Sequence, residues 1–345
     1  MKLTAIGIDL AKNVFQVHGI NEQGKAVLRK QLKRAEVLTF FANLEPCRVG
    51  MEACGSAHHW ARKFAALGHD VRLIAPQFVK PYVKSNKNDA ADAEAICEAL
   101  TRPSMRFVPV KTPDAQALLA LHRARAGFVK ARTAQANQIR GLAAEFGIVI
   151  PQGIAKLRER LPRILDDADS ALPARMRELL ERLRQHLQAL DAQVRALEAE
   201  VVAWHRQSEK SRRLAAIPGI GPLTASALVA SIGDAQNFDN ARQLAAWLGL
   251  VPRQHSSGGK PMLLGISKRG DAYLRTLLIH GARAVLNVAT KKLDPGNGWL
   301  TQLARRRHKN IAAVALANEN ARIVWALLKH DRAYSATYVA VKAVA

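Results

Sequence analysis

The stretch LTAIGIDLAKNVFQVHGINEQGKAVLRKQL, residues 3–32, contains three short apolar segments. They occupy residues 3–8, 14–20 and 25–32, they are rich in aliphatic and β-branched side chains, and turn-forming residues separate the last two. Segments of this length and composition, bounded by turn residues, are typical of β-strands. The stretch therefore predicts a three-stranded meander at the start of the chain.

Strands and helices alternate after this meander. The patterns predict a helix near residues 34–43, a strand at 47–53, a helix at 57–67 and a strand at 70–75. Such alternation favours a mixed sheet with helices on its faces, which is an α/β fold. We assign residues 1–110 to this first domain.

A long helical region, residues 111–210, is predicted next. It is rich in Ala, Leu, Arg, Gln and Glu, and Pro151, Pro162 and Pro173 are expected to interrupt its helices. Apolar residues then recur every three or four positions: Leu180, Leu183, Leu187, Leu190, Val194, Leu197 and Val201. This stripe is typical of a coiled-coil helix that serves as a spacer or a dimerisation hairpin. Residues 211–345 are predicted to form a third domain, all-α apart from a Gly/Ser-rich loop at 255–259.

The charge of the chain indicates a polyanionic partner. The formal net charge is +24, and from residue 251 onward 16 Lys and Arg residues face only four acidic ones. Nucleic acid is the partner that such a basic surface favours, because each neutralised phosphate releases counterions. An acidic protein partner, or solubility alone, is the alternative. The aromatic content of 5% argues against base stacking as the main mode of binding.

Other global features point to the cytoplasm. No run of 18 or more uncharged apolar residues is present, and the N-terminus has no long apolar segment, so neither a transmembrane helix nor a secretion signal is expected. Cys47, Cys54 and Cys97 form no paired framework, which suits a reducing compartment and argues against structural zinc.

Four carboxylates are candidates for a metal site. Asp9 ends the first predicted strand, Glu52 lies near the end of the fourth, and Asp89 and Asp92 are three residues apart on one face of a helix that Asn88 is predicted to cap. An oxygen-rich pocket of this kind suits two Mg²⁺ ions. The alternative is that Asp89 and Asp92 only complement a helix dipole and that Asp9 is a strand-end turn residue.

Three motifs in this order resemble a known family. GIDLAKNVFQVH (7–18), MEACGSAHHWAR (51–62) and KNDAADAEAI (87–96) are similar to the catalytic domain of the insertion-sequence-110 family of transposases, which are DEDD recombinases with a RuvC-like, RNase H-type fold. The resemblance implies that these four acidic positions are catalytic metal ligands, with two Mg²⁺ ions per site.

Two motifs in the last third of the chain are weaker by themselves. IPGIGPLTA (217–225) reads as a helix–hairpin–helix turn, in which Gly219 and Gly221 permit a tight turn and the next helix offers free N–H groups to a phosphate. An ordinary interhelical turn is the alternative. The segment His255–Lys260 reads as a mobile polar loop, in which a serine between polar and glycine residues is unremarkable alone.

The resemblance extends to these motifs. A PGIG turn, the segment 249–253, a serine–glycine loop of the SSGGK type and a helix start at 267–270 follow one another as in the transposase domain of the same family. In that family the serine before the glycine attacks DNA and becomes covalently linked to it. The matching position is Ser257, with Ser256 adjacent.

Exposed cations are predicted to contact nucleic acid. They are Arg253, Lys260, Lys268, Arg269, Arg305, Arg306, Arg307 and Lys309. For the run at 305–309 the alternative is a solvated helix face.

These observations lead to one leading hypothesis and two alternatives. The leading one is a transposase of an insertion sequence, in which the carboxylates and Ser257 form one composite site that cuts, exchanges and religates DNA strands. The resemblance further implies target and donor DNA, a structured noncoding guide RNA, a dimer that pairs into a tetrameric synapse, and a nucleoid-associated protein. The alternatives are a RuvC-like nuclease that hydrolyses junctions without Ser257, and a non-catalytic nucleic-acid scaffold.

Overall fold

The computed structural model describes residues 2–84, 88–167, 172–292 and 298–336. The chain divides into two compact units, residues 1–112 and 113–345. The sequence predicts three domains, and its first boundary lies two residues from the observed division. The helices of the predicted middle domain belong to the same unit as the C-terminal ones.

A six-stranded mixed sheet forms the centre of the N-terminal unit. Its strands are β1 (Ala5–Leu10), β2 (Val14–Ile20), β3 (Ala26–Lys33), β4 (Arg48–Glu52), β5 (Asp70–Ile74) and β6 (Phe107–Val108). Their order is β3-β2-β1-β4-β5-β6, with β1, β4 and β5 parallel and the other neighbours antiparallel. The five strands predicted from the sequence are confirmed. The sixth was not predicted, because two residues are too few to carry an alternation.

Helices cover both faces of this sheet. They are α1 (Val37–Ala42), α2 (Ala57–Ala66), the short α3 (Pro76–Val79) and α4 (Asp89–Leu100). Ile6 and Ile8 of β1 are fully buried in one core together with residues of α1 and α2. Gly7 lies between them on the strand and faces the other way, against α4. The central strand is therefore covered on both faces, as its continuous apolar run indicates.

The C-terminal unit is mainly helical. Its elements are α5 (Pro113–Ala144), α6 (Ile154–Asp166), α7 (Ala174–Gln207), α8 (Glu209–Ala215), α9 (Pro222–Ile232), α10 (Ala241–Trp247), β7 (Pro252–Gln254), β8 (Leu263–Ile266), α11 (Ala272–Lys292), α12 (Gly298–Arg306) and α13 (Lys309–Lys329). Pro151 and Pro173 lie outside the helices, as predicted. The prediction for Pro162 was wrong, because this residue lies inside α6.

The long helices α5 and α7 form an antiparallel pair. Three polar links join them in descending register: Arg125 to Glu198, Arg132 to Asp191, and Gln135 to His186. The predicted apolar stripe of α7 is used within the chain, since Leu180 and Leu187 share a core with Ile139 of α5, and Val201 shares one with Leu118. Most of the stripe therefore packs within the chain, and Leu183 and Leu197 remain partly exposed.

Helix α13 is the central element of the C-terminal core. Eight of its side chains are buried at helical spacing: Ala312, Ala313, Leu316, Ala317, Asn320, Ala321, Val324 and Leu327. Among the described residues it is also the one helix whose length and apolar composition would suit a membrane span. Such composition is equally typical of a core helix, and the packing against α10 and α11 accounts for it here.

Candidate active site

Two of the predicted carboxylates lie at the ends of neighbouring parallel strands. The pairing of β1 with β4 runs from Ala5 opposite Arg48 to Ile8 opposite Met51. The next step along both strands places Asp9 beside Glu52. Because Gly7 and Gly50 are also opposite each other, the two acidic residues share the face of the sheet that α4 covers.

Helix α4 brings two more carboxylates to the C-terminal ends of β1 and β4. Asn88 caps the helix as predicted, since its side-chain oxygen accepts a hydrogen bond from the Ala91 N–H at 2.8 Å. Asp89 and Asp92 occupy the first turn. Together with Asp9 they form a group in which one oxygen of each carboxylate lies within 4.8 Å of the others. Residues about eighty positions apart in sequence thus meet at one point.

Two glycines allow α4 to lie directly on the sheet. A Cβ atom on Gly7 would stand 2.3 Å from the carbonyl oxygen of Ala93 and 2.4 Å from the amide nitrogen of Cys97. Its neighbour Gly50 faces Leu100, whose nearest side-chain atom would be 3.0 Å away. At Gly7 no side chain fits between the helix and the strand, and at Gly50 a side chain would crowd Leu100.

The same contact sets the position of the carboxylates. One helical turn separates Ala93 from Asp89, and one strand repeat separates Gly7 from Asp9. Both steps are about 6 to 7 Å long. The contact of Gly7 with Ala93 therefore places Asp89 next to Asp9, and Asp92 follows on the adjoining face of the first turn.

Substitution of Gly7 by alanine should disrupt both the packing and the site. The added Cβ meets helix backbone, which cannot rotate away, so α4 must shift. Overpacking of this kind costs roughly 1–3 kcal/mol of stability or more. We expect a lower melting temperature and loss of the stabilisation that Mg²⁺ or Mn²⁺ gives to the wild type, both measured by thermal unfolding. Gly55→Ala is the matched control, because its Cβ would meet nothing within 4 Å. Equal metal-induced stabilisation in Gly7→Ala and wild type would contradict this account.

The donor set fits a hard divalent cation. Three converging carboxylates supply only oxygen ligands, which is the chemistry that Mg²⁺ or Mn²⁺ requires. Glu52 lies outside the 4.8 Å group but close to it. Desolvation and then the carboxylates of Glu52 and Asp9 raise the pKa of the Cys54 thiol, so both acids act on this one neighbour.

The predicted loop around Ser257 is a β-hairpin in the structure. Strands β7 and β8 pair from Pro252 opposite Ile266 to Gln254 opposite Leu263, and Ser257 pairs with Lys260 at the tip. The two residues between them are Gly258 (φ 55°) and Gly259 (φ 74°). Positive φ at both central positions is typical of a type I′ turn, which only glycine adopts readily. The sequence predicts a polar loop here, and the two strands of the hairpin were not predicted.

The two serines of the tip differ in their bonding. The Ser256 hydroxyl accepts hydrogen bonds from the Met262 N–H and from the Gln254 side chain, both at 3.0 Å, and so closes the hairpin. The Ser257 side chain makes no hydrogen bond to any described residue. It is exposed, and Lys260 is its direct cross-strand neighbour. Of the two, Ser257 has the hydroxyl that no described residue holds by a hydrogen bond.

The predicted cations of this region surround the hairpin base and tip. Arg253 lies on β7, Lys260 at the tip, and Lys268 and Arg269 in the turn before α11, and all four are exposed. Lys268 adopts a positive φ of 55°, which is unusual for a residue with a side chain.

That turn is held by backbone contacts which the sequence did not reveal. Cβ atoms on Gly249 and Gly270 would stand 2.1 Å and 1.9 Å from the carbonyl oxygens of Arg269 and Trp247. Arg275 donates to the carbonyl oxygens of Leu248 and Arg269, at 3.1 and 3.0 Å. The turn before α11 is thereby fixed to the end of α10.

The other predicted nucleic-acid contacts lie elsewhere in the unit. Gly219 (φ 88°) forms the turn between α8 and α9, and a Cβ there would stand 2.9 Å from the carbonyl oxygen of Gly281, so this glycine also serves packing against α11. Gly221 is exposed and caps α9. The run Arg305, Arg306, Arg307 and Lys309 is exposed at the junction of α12 and α13.

A buried hydrogen-bond network around a histidine of this unit was also not predicted from the sequence. The His122 Nε2 lies 3.1 Å from the Ser226 hydroxyl, which itself donates to the Pro222 carbonyl at 2.7 Å. Nε2 is therefore the donor, and Nδ1 accepts from the Tyr273 hydroxyl at 3.0 Å. The network joins α5, α9 and α11 and requires a neutral imidazole. No local pattern marks His122 in the sequence, since its partners lie about 100 and 150 residues away.

This network should make the stability of the C-terminal unit depend on pH. Burial, with a smaller effect of Arg125, lowers the pKa of His122 from 6.5 to about 4. Below pH 6.5 the unfolded chain gains a proton that the folded chain does not, so stability falls with decreasing pH until about pH 4, by about 3 kcal/mol in all. Denaturant unfolding followed by circular dichroism should show this loss in wild type and a shallower dependence in His122→Asn. Parallel curves for the two proteins would refute the assignment.

Two segments of the chain match known protein families. Residues 6–147 match the transposase family DEDD_Tnp_IS110, and residues 211–294 match the family described as Transposase IS116/IS110/IS902 family. The first match contains all four predicted carboxylates, and the second contains Ser257 and the PGIG turn. The N-terminal mixed sheet agrees with a DEDD domain, and that domain implies a divalent metal site.

Relatives match over nearly the whole chain. A probable family 20 transposase from Pseudomonas aeruginosa is 56% identical, covering 97% of this chain and 99% of the relative. The transposase for insertion sequence element IS1111A from Coxiella burnetii is 49% identical over 95% of this chain and 90% of the relative. The transposase for insertion sequence element IS1328 from Yersinia enterocolitica is 45% identical over 96% and 99%. The chain belongs to the IS116/IS110/IS902 family of insertion-sequence transposases.

Proposed function

We propose that this transposase cuts and rejoins DNA through a covalent link between Ser257 and a DNA phosphate, with Mg²⁺ bound by Asp9, Glu52, Asp89 and Asp92. The observation that carries the proposal is the tip of the β7–β8 hairpin. An exposed serine hydroxyl without a described hydrogen bond stands there opposite a lysine, in a chain that also gathers three carboxylates. The hydrolysis of DNA by metal-bound water would need only the carboxylates.

The carboxylates serve to hold the metal and to orient it. Asp9 and Glu52 are fixed by paired strands, and Asp89 and Asp92 by a capped helix lying on glycines. Rigid elements of this kind keep ligands in place without further ordering. Two bound Mg²⁺ ions would polarise the scissile phosphate and stabilise the leaving oxygen.

The serine supplies the nucleophile. Its Oγ forms a bond to phosphorus, the bond from phosphorus to the leaving sugar oxygen breaks, and the hydroxyl proton passes to that oxygen or to solvent. One phosphate ester replaces another, so a second DNA hydroxyl can reverse the step and join a new strand. Arg253, Lys260, Lys268 and Arg269 are placed to neutralise the charge that develops on the phosphate.

A denaturing gel distinguishes this reaction from the alternatives. Labelled DNA containing an end of the element, incubated with the protein and Mg²⁺, should migrate with the protein after denaturation with SDS. EDTA should prevent this. A RuvC-like nuclease would release cut DNA without any adduct, and a non-catalytic scaffold would leave the DNA intact. Either result would refute the proposal.

The proposed partners follow from charge and from the family. We propose that target and donor DNA and a structured noncoding RNA bind the turn at Gly221 and the basic surface formed by Arg305, Arg306, Arg307 and Lys309. We also propose that the enzyme works as a dimer that pairs into a tetramer on DNA in the nucleoid. The net charge of +24 supports a large nucleic-acid load. Sequencing of the RNA that co-purifies with the protein tests the guide RNA directly.

A further inference from the structure

The β7–β8 hairpin carries an exposed apolar segment that the proposed chemistry does not use. Met262, Leu263 and Leu264 are 56%, 65% and 43% exposed, and they are consecutive. Single exposed apolar side chains are common on protein surfaces, whereas several close together point to a surface that binds a partner. Neither the hairpin turn nor the contacts of Ser256 require them to be apolar.

The pairing of the hairpin sorts these side chains by face. Gln254 stands opposite Leu263, and Ser257 stands opposite Lys260, so one register relates both pairs. Side chains of cross-strand neighbours share a face, and successive residues alternate between faces. Leu263 therefore lies on the face opposite to Ser257.

The pairing places the other two apolar residues on the face of the serine. Met262 stands opposite His255, whose backbone N–H donates a hydrogen bond to the Met262 carbonyl at 2.9 Å. Met262 lies two positions from Lys260 and shares its face. The register shifts beyond Leu263, so that Leu264 and Gly265 both stand opposite Arg253, which shares the face of Ser257. Both apolar side chains therefore lie on the face of Ser257 and Lys260, in a row leading from the tip towards the base.

The positive charge around Met262 and Leu264 indicates which kind of partner this surface binds. Residues 252–270 contain four Lys and Arg residues and no acidic residue. A second copy of a chain of net charge +24, or any other basic protein, would be repelled from such a surface. DNA suits it, because cations meet phosphates while apolar side chains meet bases, and a two-stranded ribbon fits a DNA groove.

We propose that Met262 and Leu264 form an apolar wedge that enters the DNA and unstacks the base step next to the phosphate attacked by Ser257. This inference rests on the proposed function of Ser257. Methionine and leucine are residues that DNA-bending proteins insert between base pairs. Unstacking loosens the backbone at that step and exposes the phosphate to an attacking hydroxyl that is fixed on the same face.

Fluorescence of 2-aminopurine tests the wedge without any chemistry. A series of duplexes spanning the element end, each with one 2-aminopurine at a successive position, is bound by the protein as purified, in EDTA. Wild type should raise the fluorescence severalfold at one step. The double variant Met262→Gln/Leu264→Gln should not, whereas Leu263→Gln, altered at the more exposed residue of the opposite face, should behave as wild type. Binding measured by anisotropy should be similar for all three.

Adduct formation in Mg²⁺ supplies the second measurement. On intact duplex the double variant should be slower than wild type by at least about tenfold, since unstacking costs a few kcal/mol. A mismatch at the same step, which is already unstacked, should restore its rate. The proposal is overturned if the double variant raises fluorescence as wild type does, if the mismatch restores nothing, or if light scattering shows that the substitutions instead dissociate copies of the protein. Absence of any adduct with wild type would refute the role of Ser257, while the fluorescence would still decide the wedge.

Discussion

Replacement of Asp9 by asparagine is expected to reduce DNA cleavage by about a thousandfold, because a metal site that loses a central ligand loses several kcal/mol of transition-state stabilisation. Asp9 is the one member of the cluster that lies on the central strand, and its ligand oxygen is within 4.8 Å of those of Asp89 and Asp92. The measurement is the initial rate of strand cleavage on labelled DNA in Mg²⁺.

The same substitution should have the opposite effect on the metal-free protein. Carboxylates so close together repel one another when no cation is bound. Asparagine removes one charge with little change of shape, so the melting temperature in EDTA should stay the same or rise, and the added stability from Mg²⁺ should disappear. A fall in melting temperature together with normal metal binding would mean that Asp9 has a structural role instead.

Asp70→Asn is the matched control for this experiment. Asp70 begins β5, at the ends of the parallel strands opposite to the carboxylate cluster, and makes exposed ion pairs with Arg48 and Arg72. Such pairs contribute about 0–1 kcal/mol. Cleavage by Asp70→Asn should therefore remain near that of wild type, so that a loss in Asp9→Asn is due to the cluster and not to removal of any carboxylate from this domain.

Replacement of Ser257 by alanine should abolish the covalent adduct, with strand exchange reduced by about four orders of magnitude or more, as expected when a nucleophile is removed. The carboxylates remain in this variant, and its metal-induced stabilisation should equal that of wild type. The measurements are the SDS-resistant adduct and the yield of recombinant product.

Ser256→Ala separates the nucleophile from its neighbour. Loss of the Ser256 hydroxyl removes the acceptor of the Met262 N–H and of the Gln254 side chain, so the hairpin should loosen and the reaction should slow. The adduct should nevertheless form. If instead Ser256→Ala loses the adduct and Ser257→Ala keeps it, the two roles are reversed. An adduct in both variants would exclude this loop as the source of the nucleophile.

Several elements were correctly predicted from the sequence because they depend on local patterns. Alternation and apolar runs identified β1 to β5, and Asn88 was recognised as a helix cap because a short polar side chain can accept the N–H three residues on. The basic composition of the C-terminal part can be read from the sequence without knowledge of the fold. Each of these properties is written in residues that are adjacent or nearly so.

The structure decided those features that depend on distant residues. Ser256 and Ser257 are the same residue type, and only the hydrogen bonds of the hairpin show that the Ser256 hydroxyl is held while the Ser257 hydroxyl bonds to no described residue. The partner of the α7 stripe and the neutral state of His122 likewise depend on side chains far away in the chain.

The carboxylate site illustrates the division most clearly. The sequence alone determined that Asp9, Glu52, Asp89 and Asp92 end strands or begin a helix. Only the tertiary structure decided that Asp9 meets Asp89 and Asp92, and that Glu52 stands just outside their group. The physical reason is that Gly7 and Gly50 leave no Cβ between the sheet and α4, so that the register of a helix on two strands, which no local pattern encodes, sets where the charges lie.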